Sequence, residues 1–237
     1  VYIEKLFQIE SNRGMENSKN FIISKEENDK DFAIKLNNVK FGYFNSEQDT
    51  FKDLNLTIKK NKHTIVTGPN GSGKSTFLGL ISGVLYPTEG SVVTTSERYG
   101  YVGANPMILN DSLRENLIYG NTKEVSDKEL MEYLKLFKTF EKDEDYNLDK
   151  SISNKTLSSG QMQKIAYIRT LIYGVDILIL DESTSNLDSK SKKVIYEIIE
   201  NLKITIVNST HNPDELNSYD EHIRIEELAN TEILENE

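Results

Sequence analysis

One short segment does most to constrain what this chain can fold into. Gly68–Thr76 reads GPNGSGKST and satisfies the pattern G-x-x-x-x-G-K-[ST]. The apolar, β-rich run Thr64–Thr67 precedes it, and a helix-compatible segment, Thr76–Val84, follows it. A strand, a glycine-rich loop and a helix in this order are the context that a phosphate-binding loop requires. The segment therefore predicts binding of a nucleoside triphosphate.

The residue types in this loop suit the chemistry of phosphate. Glycines let successive backbone N–H groups point at one anion, and the start of the following helix adds partial positive charge. Lys74 can neutralise the β and γ phosphates, and the hydroxyl of Ser75 can ligate Mg²⁺. The residues expected to contact the nucleotide here are Gly68, Pro69, Asn70, Gly71, Ser72, Gly73, Lys74, Ser75 and Thr76.

A second apolar run ends in two carboxylates. Ile177–Leu180 is followed by Asp181 and Glu182. At the carboxyl end of a strand Asp181 can hold Mg²⁺, and Glu182 can act as the general base or orient the attacking water. By itself the pair fits a solvated acidic turn equally well, but the upstream phosphate loop favours the catalytic interpretation.

Two further features are weak when taken alone. Leu157–Gln161 reads LSSGQ and opens a helix-compatible segment, Met162–Tyr173, so it is another possible anion site but also an ordinary helix N-cap. His211 follows the β-rich run Ile204–Val207, and a single histidine near a strand end is more often structural than functional.

The hydrophobic pattern indicates a mixed α/β fold. Residues from Phe32 to Ile58 alternate with period two, as in half-buried strands, whereas the later apolar runs fit strands covered on both faces. Between them, Ser126 and Glu129 have capping-box spacing ahead of one apolar helical stripe, and Val194–Leu202 carries another.

The overall composition disfavours several classes of function. The net charge is −10, from 28 Lys+Arg and 38 Asp+Glu, which argues against non-specific nucleic-acid binding. There is no cysteine, so thiol catalysis and cysteine metal sites are excluded. No stretch approaches the roughly 20 apolar residues that span a bilayer.

The order of these segments closely resembles the nucleotide-binding domain of ABC transporters. The phosphate loop is followed by LSSGQ, then ILILDE, then STSNLD at Ser183–Asp188, and then His211. LSSGQ is similar to the family signature, with Ser159 in place of a glycine. The resemblance covers roughly Phe32 to the C-terminus.

The resemblance implies a P-loop NTPase with a RecA-like core, an antiparallel β lobe and an inserted helical lobe at about residues 105–160. It implies ATP with Mg²⁺ as ligands, Tyr43 stacking on the adenine, and Glu182, His211 and Lys74 as catalytic residues. Two such domains would pair head to tail, each serving the other's ATP through its signature loop. The residues implied on that side are Ser158, Ser159, Gly160, Gln161 and Asp188.

Further similarities are of the exporter type. Asn110–Leu117 (NDSLRENL) and Leu157–Leu171 resemble segments of exporter subunits. Residues 1–31, with Tyr2, Leu6 and Ile9 at helical spacing, resemble the helix and linker that follow an exporter's last membrane helix. Because the chain begins with Val, we expect it to be cut from a longer protein, an integral membrane transporter whose ATPase domain, residues 32–237, faces the cytoplasm.

Two departures from the family pattern concern coupling. The family usually has a glutamine two residues after Tyr101-Val102, where this chain has Ala104, with Asn105 beside it. Ser151–Thr156 also lacks the acidic, glycine-containing segment that exporters carry before the signature. Both departures predict weakened turnover or coupling.

Three functional hypotheses follow. The first is an ATP-hydrolysing motor of a transporter, with a transmembrane domain and a second ATPase domain, identical or not, as partners and no nucleic acid. The second is a soluble, non-transport ABC switch, which usually carries tandem ATPase domains or long coiled-coil insertions that are missing here. The third is a weakly hydrolysing regulatory half of a heterodimeric transporter, which Ala104 favours and the retained Glu182 disfavours.

Overall fold

The computed structural model describes residues 15–24, 31–44, 46, 48–142 and 145–229. The N-terminal helix expected from Tyr2 to Ile9 lies outside the described residues. Within the expected linker, Met15–Asn20 form a 3₁₀ helix, and β1 (Phe21–Ile23) pairs in parallel with β5 (Glu89–Thr94).

A four-stranded lobe includes the segment with period-two alternation, which supplies two of its strands. Its order is β1-β5-β2-β3, with β2 (Phe32–Phe41) antiparallel to both β5 and β3 (Phe51–Lys59). Ile34 and Leu36 are buried while Lys35 between them is exposed, as the alternation predicts.

A five-stranded sheet with the order β11-β4-β10-β9-β6 forms the centre of the chain, and all of its pairings are parallel. Its strands are β4 (His63–Thr67), β6 (Tyr99–Gly103), β9 (Ile177–Asp181), β10 (Thr205–Ser209) and β11 (Glu221–Arg224). The continuous apolar runs are therefore explained, because strands of a parallel sheet are covered on both faces.

Six α-helices and two very short strands complete the described part of the chain. The helices are α1 (Lys74–Ile81), α2 (Leu113–Ile118), α3 (Asp127–Leu136), α4 (Ser159–Tyr173), α5 (Ser189–Ile199) and α6 (Ile225–Ala229). β7 (Asp111–Ser112) pairs with β8 (Ser151–Ile152) beside α2, and a 3₁₀ turn forms at Pro213–Glu215. As predicted from its spacing, Ser126 caps α3 by accepting a hydrogen bond from the backbone N–H of Glu129.

Two hydrophobic cores share the parallel sheet. On β9, Leu178 and Leu180 pack in one core with α2, α3, α4 and α5. Ile177 and Ile179 point to the other face and pack with α1 and the antiparallel lobe. The mixed α/β class, with a parallel core sheet and a separate antiparallel lobe, agrees with the sequence prediction. Among the described residues, no helix combines the length and the apolar character needed to cross a bilayer.

Candidate nucleotide site

The predicted catalytic segments all leave the same edge of the parallel sheet. Val66 on β4, Ser209 on β10, Asp181 on β9 and Gly103 on β6 are successive register partners, and we call these four residues the register row. Each strand ends at this row or one residue beyond it. The phosphate loop, the segment with His211, Glu182 and Ala104 therefore start side by side, at the edge where open α/β sheets bind ligands.

The phosphate loop has the backbone that its glycines predict. Gly71 and Gly73 adopt φ values of 81° and 98°, in the left-handed region that glycine occupies without strain. A Cβ on Gly71 would meet nothing within 4 Å, so this part of the loop borders open space. Pro69 and Asn70 are exposed in the same turn.

Two side chains of the loop are placed to meet an anion. The Lys74 ammonium, although its residue is only 6% exposed, donates to the carbonyl oxygens of Gly68 at 2.8 Å and Pro69 at 3.1 Å. The Ser72 hydroxyl is buried and has no hydrogen-bond partner among the described residues. A buried polar atom of this kind costs free energy unless it is paired, which fits a site that receives phosphate oxygens.

The start of α1 carries the remaining loop residues. Ser75 is exposed on the first turn of α1, where its hydroxyl can act as an oxygen ligand. Thr76 is buried, and its hydroxyl lies 3.0 Å from the hydroxyl of Tyr43. The Tyr43 ring meets Phe41 edge-on at 5.1 Å and is 39% exposed, so the structure brings this aromatic residue to the loop.

The two carboxylates after β9 have different partners. Asp181 Oδ2 accepts a hydrogen bond of 2.8 Å from the Tyr101 hydroxyl. Glu182 Oε1 lies 2.8 Å from His211 Nε2, and both side chains are partly exposed. Glu182 adopts φ 51°, while its backbone N–H donates to the Ser209 carbonyl at 3.0 Å. The structure thus pairs two of the three residues, Glu182 and His211, that the sequence predicts to be catalytic.

The donor set fits magnesium in particular. Mg²⁺ is usually held by one or two protein oxygens together with phosphates and water, not by a full protein cage. Asp181 and the hydroxyl of Ser75 are the two oxygen donors that the sequence predicts for this role. Among the described residues, no group of three or more His, Cys, Asp or Glu could hold a metal by itself.

The predicted signature residues lie at the start of α4 and contact the region of α5. Ser158 caps α4 in a reciprocal capping box with Gln161, and the Ser159 hydroxyl donates to the Asn186 carbonyl at 3.4 Å. Gly160 is buried so close to α5 that an added Cβ would lie 2.7 Å from the Ser191 hydroxyl.

Asp188 caps α5 beside this contact. Its carboxylate accepts from the backbone N–H of Ser191, and that hydrogen bond lowers the pKa of Asp188. All of the hydrogen bonds described for Ser158, Ser159, Gln161 and Asp188 stay within this α4–α5 region.

Several neighbours of the site were not identified from the sequence. No motif in the sequence singles out Tyr101 for the site, because only pairing between β6 and β9 brings it to Asp181. Gln163, almost fully buried on α4, donates to the Gly103 carbonyl at 3.0 Å. Tyr167 and Tyr196 anchor the loop after Glu182: the Tyr167 hydroxyl lies 2.6 Å from that of Ser183, and the Tyr196 hydroxyl lies 2.8 Å from that of Thr184.

Comparison with known proteins agrees with this geometry. A family model described as ABC transporter matches residues 51–185, more than half of the chain. The ergothioneine transport ATP-binding protein EgtV of Helicobacter pylori (strain G27) is 34% identical over 206 residues, which cover 77% of this chain and 91% of that protein. ABC transporter B family member 13 of Arabidopsis thaliana is 33% identical over 186 residues, covering 71% of this chain.

Many relatives are much longer than this chain. The aligned part spans 15% of the Arabidopsis protein, 32% of the heterocyst differentiation protein HepA of Nostoc and 27% of the permease MDL1 of Candida albicans. A solved bacterial Atm1-family ABC exporter with ATP bound shares the fold, with a TM-score of 0.71 over 81% of this chain and 36% of that chain, at 22% identity. The chain therefore belongs to the ABC transporter family and is an ABC-type ATPase domain.

Proposed function

We propose that this chain is the ATP-hydrolysing motor of an exporter-type ABC transporter, acting at the cytoplasmic face of the membrane. The observation that carries the proposal is the 2.8 Å contact between Glu182 and His211, at the sheet edge where the phosphate loop begins. A carboxylate held by an imidazole next to a triphosphate site is equipped for hydrolysis as well as binding.

Each residue has a defined role in the proposed reaction. The loop amides and Lys74 bind the phosphates of ATP, and the Tyr43 ring stacks on the adenine. The Glu182 carboxylate orients a water and accepts its proton while the water oxygen bonds to the γ-phosphorus. The bond from that phosphorus to the bridging oxygen of ADP breaks, and the products are ADP and phosphate. His211 fixes Glu182 in the orientation this step needs.

The metal has a supporting role in this scheme. Asp181 and Ser75 would hold Mg²⁺, which neutralises charge on the transferred phosphoryl group when it is bound. Lys74 adds further positive charge from the protein.

The proposed motor works as a pair of domains. Ser158, Ser159, Gly160 and Gln161 are assigned to the ATP of a second ATPase domain, together with Asp188. Their placement at the α4–α5 contact supports this assignment, because the hydrogen bonds described for them stay within that region and do not reach their own phosphate loop. Closure of the pair on ATP and reopening after hydrolysis would then move the transmembrane domain of the same transporter.

Glu182→Gln separates binding from hydrolysis. We expect turnover to fall by at least about a hundredfold, because the amide cannot accept the proton of the attacking water. The affinity for ATP should be unchanged, and ATP should now drive dimerisation. The measurements are phosphate release and the molar mass in solution with and without Mg²⁺ and ATP.

Glu132→Gln is the matched control, since Glu132 is an exposed glutamate on α3. It should keep parental turnover. Hydrolysis by Glu182→Gln at the parental rate would refute the role given to Glu182. Parental protein that binds ATP but barely turns it over would favour the alternative of a regulatory half, to which Ala104 points.

A further inference from the structure

Tyr101 is a partly exposed aromatic residue beside the proposed metal site. It lies on β6 opposite Ile179 of β9, two residues before the register row, and it is 46% exposed. Its hydroxyl nevertheless crosses to the next strand and donates to Asp181 Oδ2 at 2.8 Å. The contact thus joins a tyrosine to the carboxylate to which we assign the metal.

Gly103 makes the path of this side chain possible. Residues 101 and 103 share one face of β6, because side chains alternate along a strand. A Cβ on Gly103 would lie 3.2 Å from Cε1 of Tyr101 and 3.5 Å from its hydroxyl oxygen. The Tyr101 ring therefore passes directly over the bare backbone of Gly103 on its way to Asp181.

Tyr101 does not belong to either hydrophobic core. The neighbouring Val102 is buried in the helical core, whereas almost half of Tyr101 faces solvent. An exposed ring contributes little apolar burial, so the direction of its hydroxyl is the more informative property. Residues that hydrogen-bond a metal ligand commonly fix its orientation and strengthen the site.

We propose that Tyr101 is a positioning residue for Mg²⁺·ATP, and that its hydroxyl holds the Asp181 carboxylate ready for the metal. This inference rests on the proposed function, because it assumes that Asp181 is the carboxylate that binds Mg²⁺. Tyr101 acts through Asp181 and touches neither the phosphates nor the attacking water in this scheme.

The test uses Tyr101→Phe, which removes one hydroxyl and keeps the ring. The readout is the affinity for a fluorescent ATP analogue measured in EDTA and again in Mg²⁺. The dissociation constant in EDTA divided by that in Mg²⁺ reports how much the metal strengthens binding. We expect the ratio to fall about tenfold, the low end for loss of a hydrogen-bond partner of a metal ligand. The affinity in EDTA should be unchanged, which also shows that the variant is folded.

Two comparison variants separate the possible failures. Asp181→Asn should lose most of the Mg²⁺ effect, and Tyr173→Phe, at the far end of α4 and 42% exposed, should keep the parental ratio. If the parent and Asp181→Asn show the same ratio, the metal role of Asp181 fails and the inference fails with it. If Asp181→Asn loses the Mg²⁺ effect but Tyr101→Phe keeps the parental ratio or raises it, the role of Tyr101 alone is refuted.

Gly103→Ala tests the same contact from the other side. The added methyl group presses on the Tyr101 ring, so we expect a smaller reduction of the ratio, roughly threefold. In the Tyr101→Phe background the same change should have no further effect on the ratio, because the hydrogen bond is already absent. Additive effects would contradict the proposal, since coupled residues give non-additive changes.

Discussion

Glu182, the proposed general base, adopts an unfavourable backbone conformation. Its φ of 51° lies in the left-handed region, which costs a residue other than glycine about 1–3 kcal/mol when it is enforced by its surroundings. The N–H group bonded to Ser209 and the side chain bonded to His211 hold it there. Such strain is concentrated at functional positions, where it fixes the direction of a side chain.

Replacing Glu182 by glycine and by alanine measures this strain. Both variants lack the carboxylate, so their difference reports mainly on the backbone. Glycine usually destabilises a regular element relative to alanine by about 0.5–1 kcal/mol, but at positive φ the order reverses. We expect Glu182→Gly to be about 1 kcal/mol more stable than Glu182→Ala in urea unfolding.

The same pair of changes at Glu197, on the exposed side of α5, provides the control. There the glycine variant should be the less stable of the two. A glycine variant of Glu182 that is also less stable than its alanine counterpart would show that this backbone carries no strain.

Single residues also show where sequence reasoning is strong and where it stops. Lys74 and Asp181 could be predicted as site residues because short contiguous motifs define them. The contact of Glu182 with His211 and that of Tyr101 with Asp181 could not be predicted, because each depends on pairing between strands far apart in sequence. Nothing about the residue type of Glu182 indicates that its backbone adopts a left-handed conformation.

At the scale of elements, the close approach of α4 and α5 forms the proposed signature surface. Gly160, in the first turn of α4, faces the buried Ser191 of α5, whose hydroxyl oxygen is 2.7 Å from where a Cβ would lie. The caps of both helices, Ser158 and Asp188, lie on either side of this contact. The glycine therefore sets how near the two helix starts can lie.

Gly160→Ala should weaken pairing of two domains while leaving ATP binding to one domain unchanged. The added methyl group would displace the start of α4 and with it the surface assigned to the partner's ATP. In the Glu182→Gln background we expect about tenfold weaker ATP-driven dimerisation. Analytical ultracentrifugation over a range of concentrations measures this change.

Adding Ser191→Ala to that variant removes the atom that the methyl group meets, and it should restore part of the dimerisation. If Gly160→Ala dimerises like its parent, the signature loop does not face the second domain's nucleotide.

Whole elements were predicted with uneven success, for physical reasons. The apolar runs that became β4, β9 and β10 could be recognised because burial on both faces favours short, nearly continuous runs of apolar and β-branched residues. The strands β7 and β8, of two residues each, have no periodicity to detect. The pairing of β1 with β5 joins segments about 70 residues apart, and no local pattern indicates it.

At the scale of the whole molecule, this domain is proposed to be part of a larger machine. Relatives such as HepA and MDL1 extend well beyond the aligned region. The two cores on either face of the parallel sheet also show that the ATPase fold contains its own hydrophobic interior. Under the proposal, the transmembrane partner lies elsewhere in the protein or in a companion chain.

The coding sequence upstream of Val1 provides the test of the transporter proposal. We expect it to encode membrane-spanning helices, about six in number, each with roughly 20 apolar residues. Reading that sequence is sufficient. A preceding globular domain without such helices would instead favour the non-transport switch.

The register row has a consequence for how this domain can vary in length. Inserting or deleting one residue in β4, β9 or β10 would turn every following side chain to the opposite face and shift one catalytic segment relative to the others. The connections around α2 and α3 are under no such constraint. They lie between β6 and β9, so a change in their length does not alter the register of the strands. We therefore expect engineered tags and natural insertions to be accepted in those connections and rejected within the central strands.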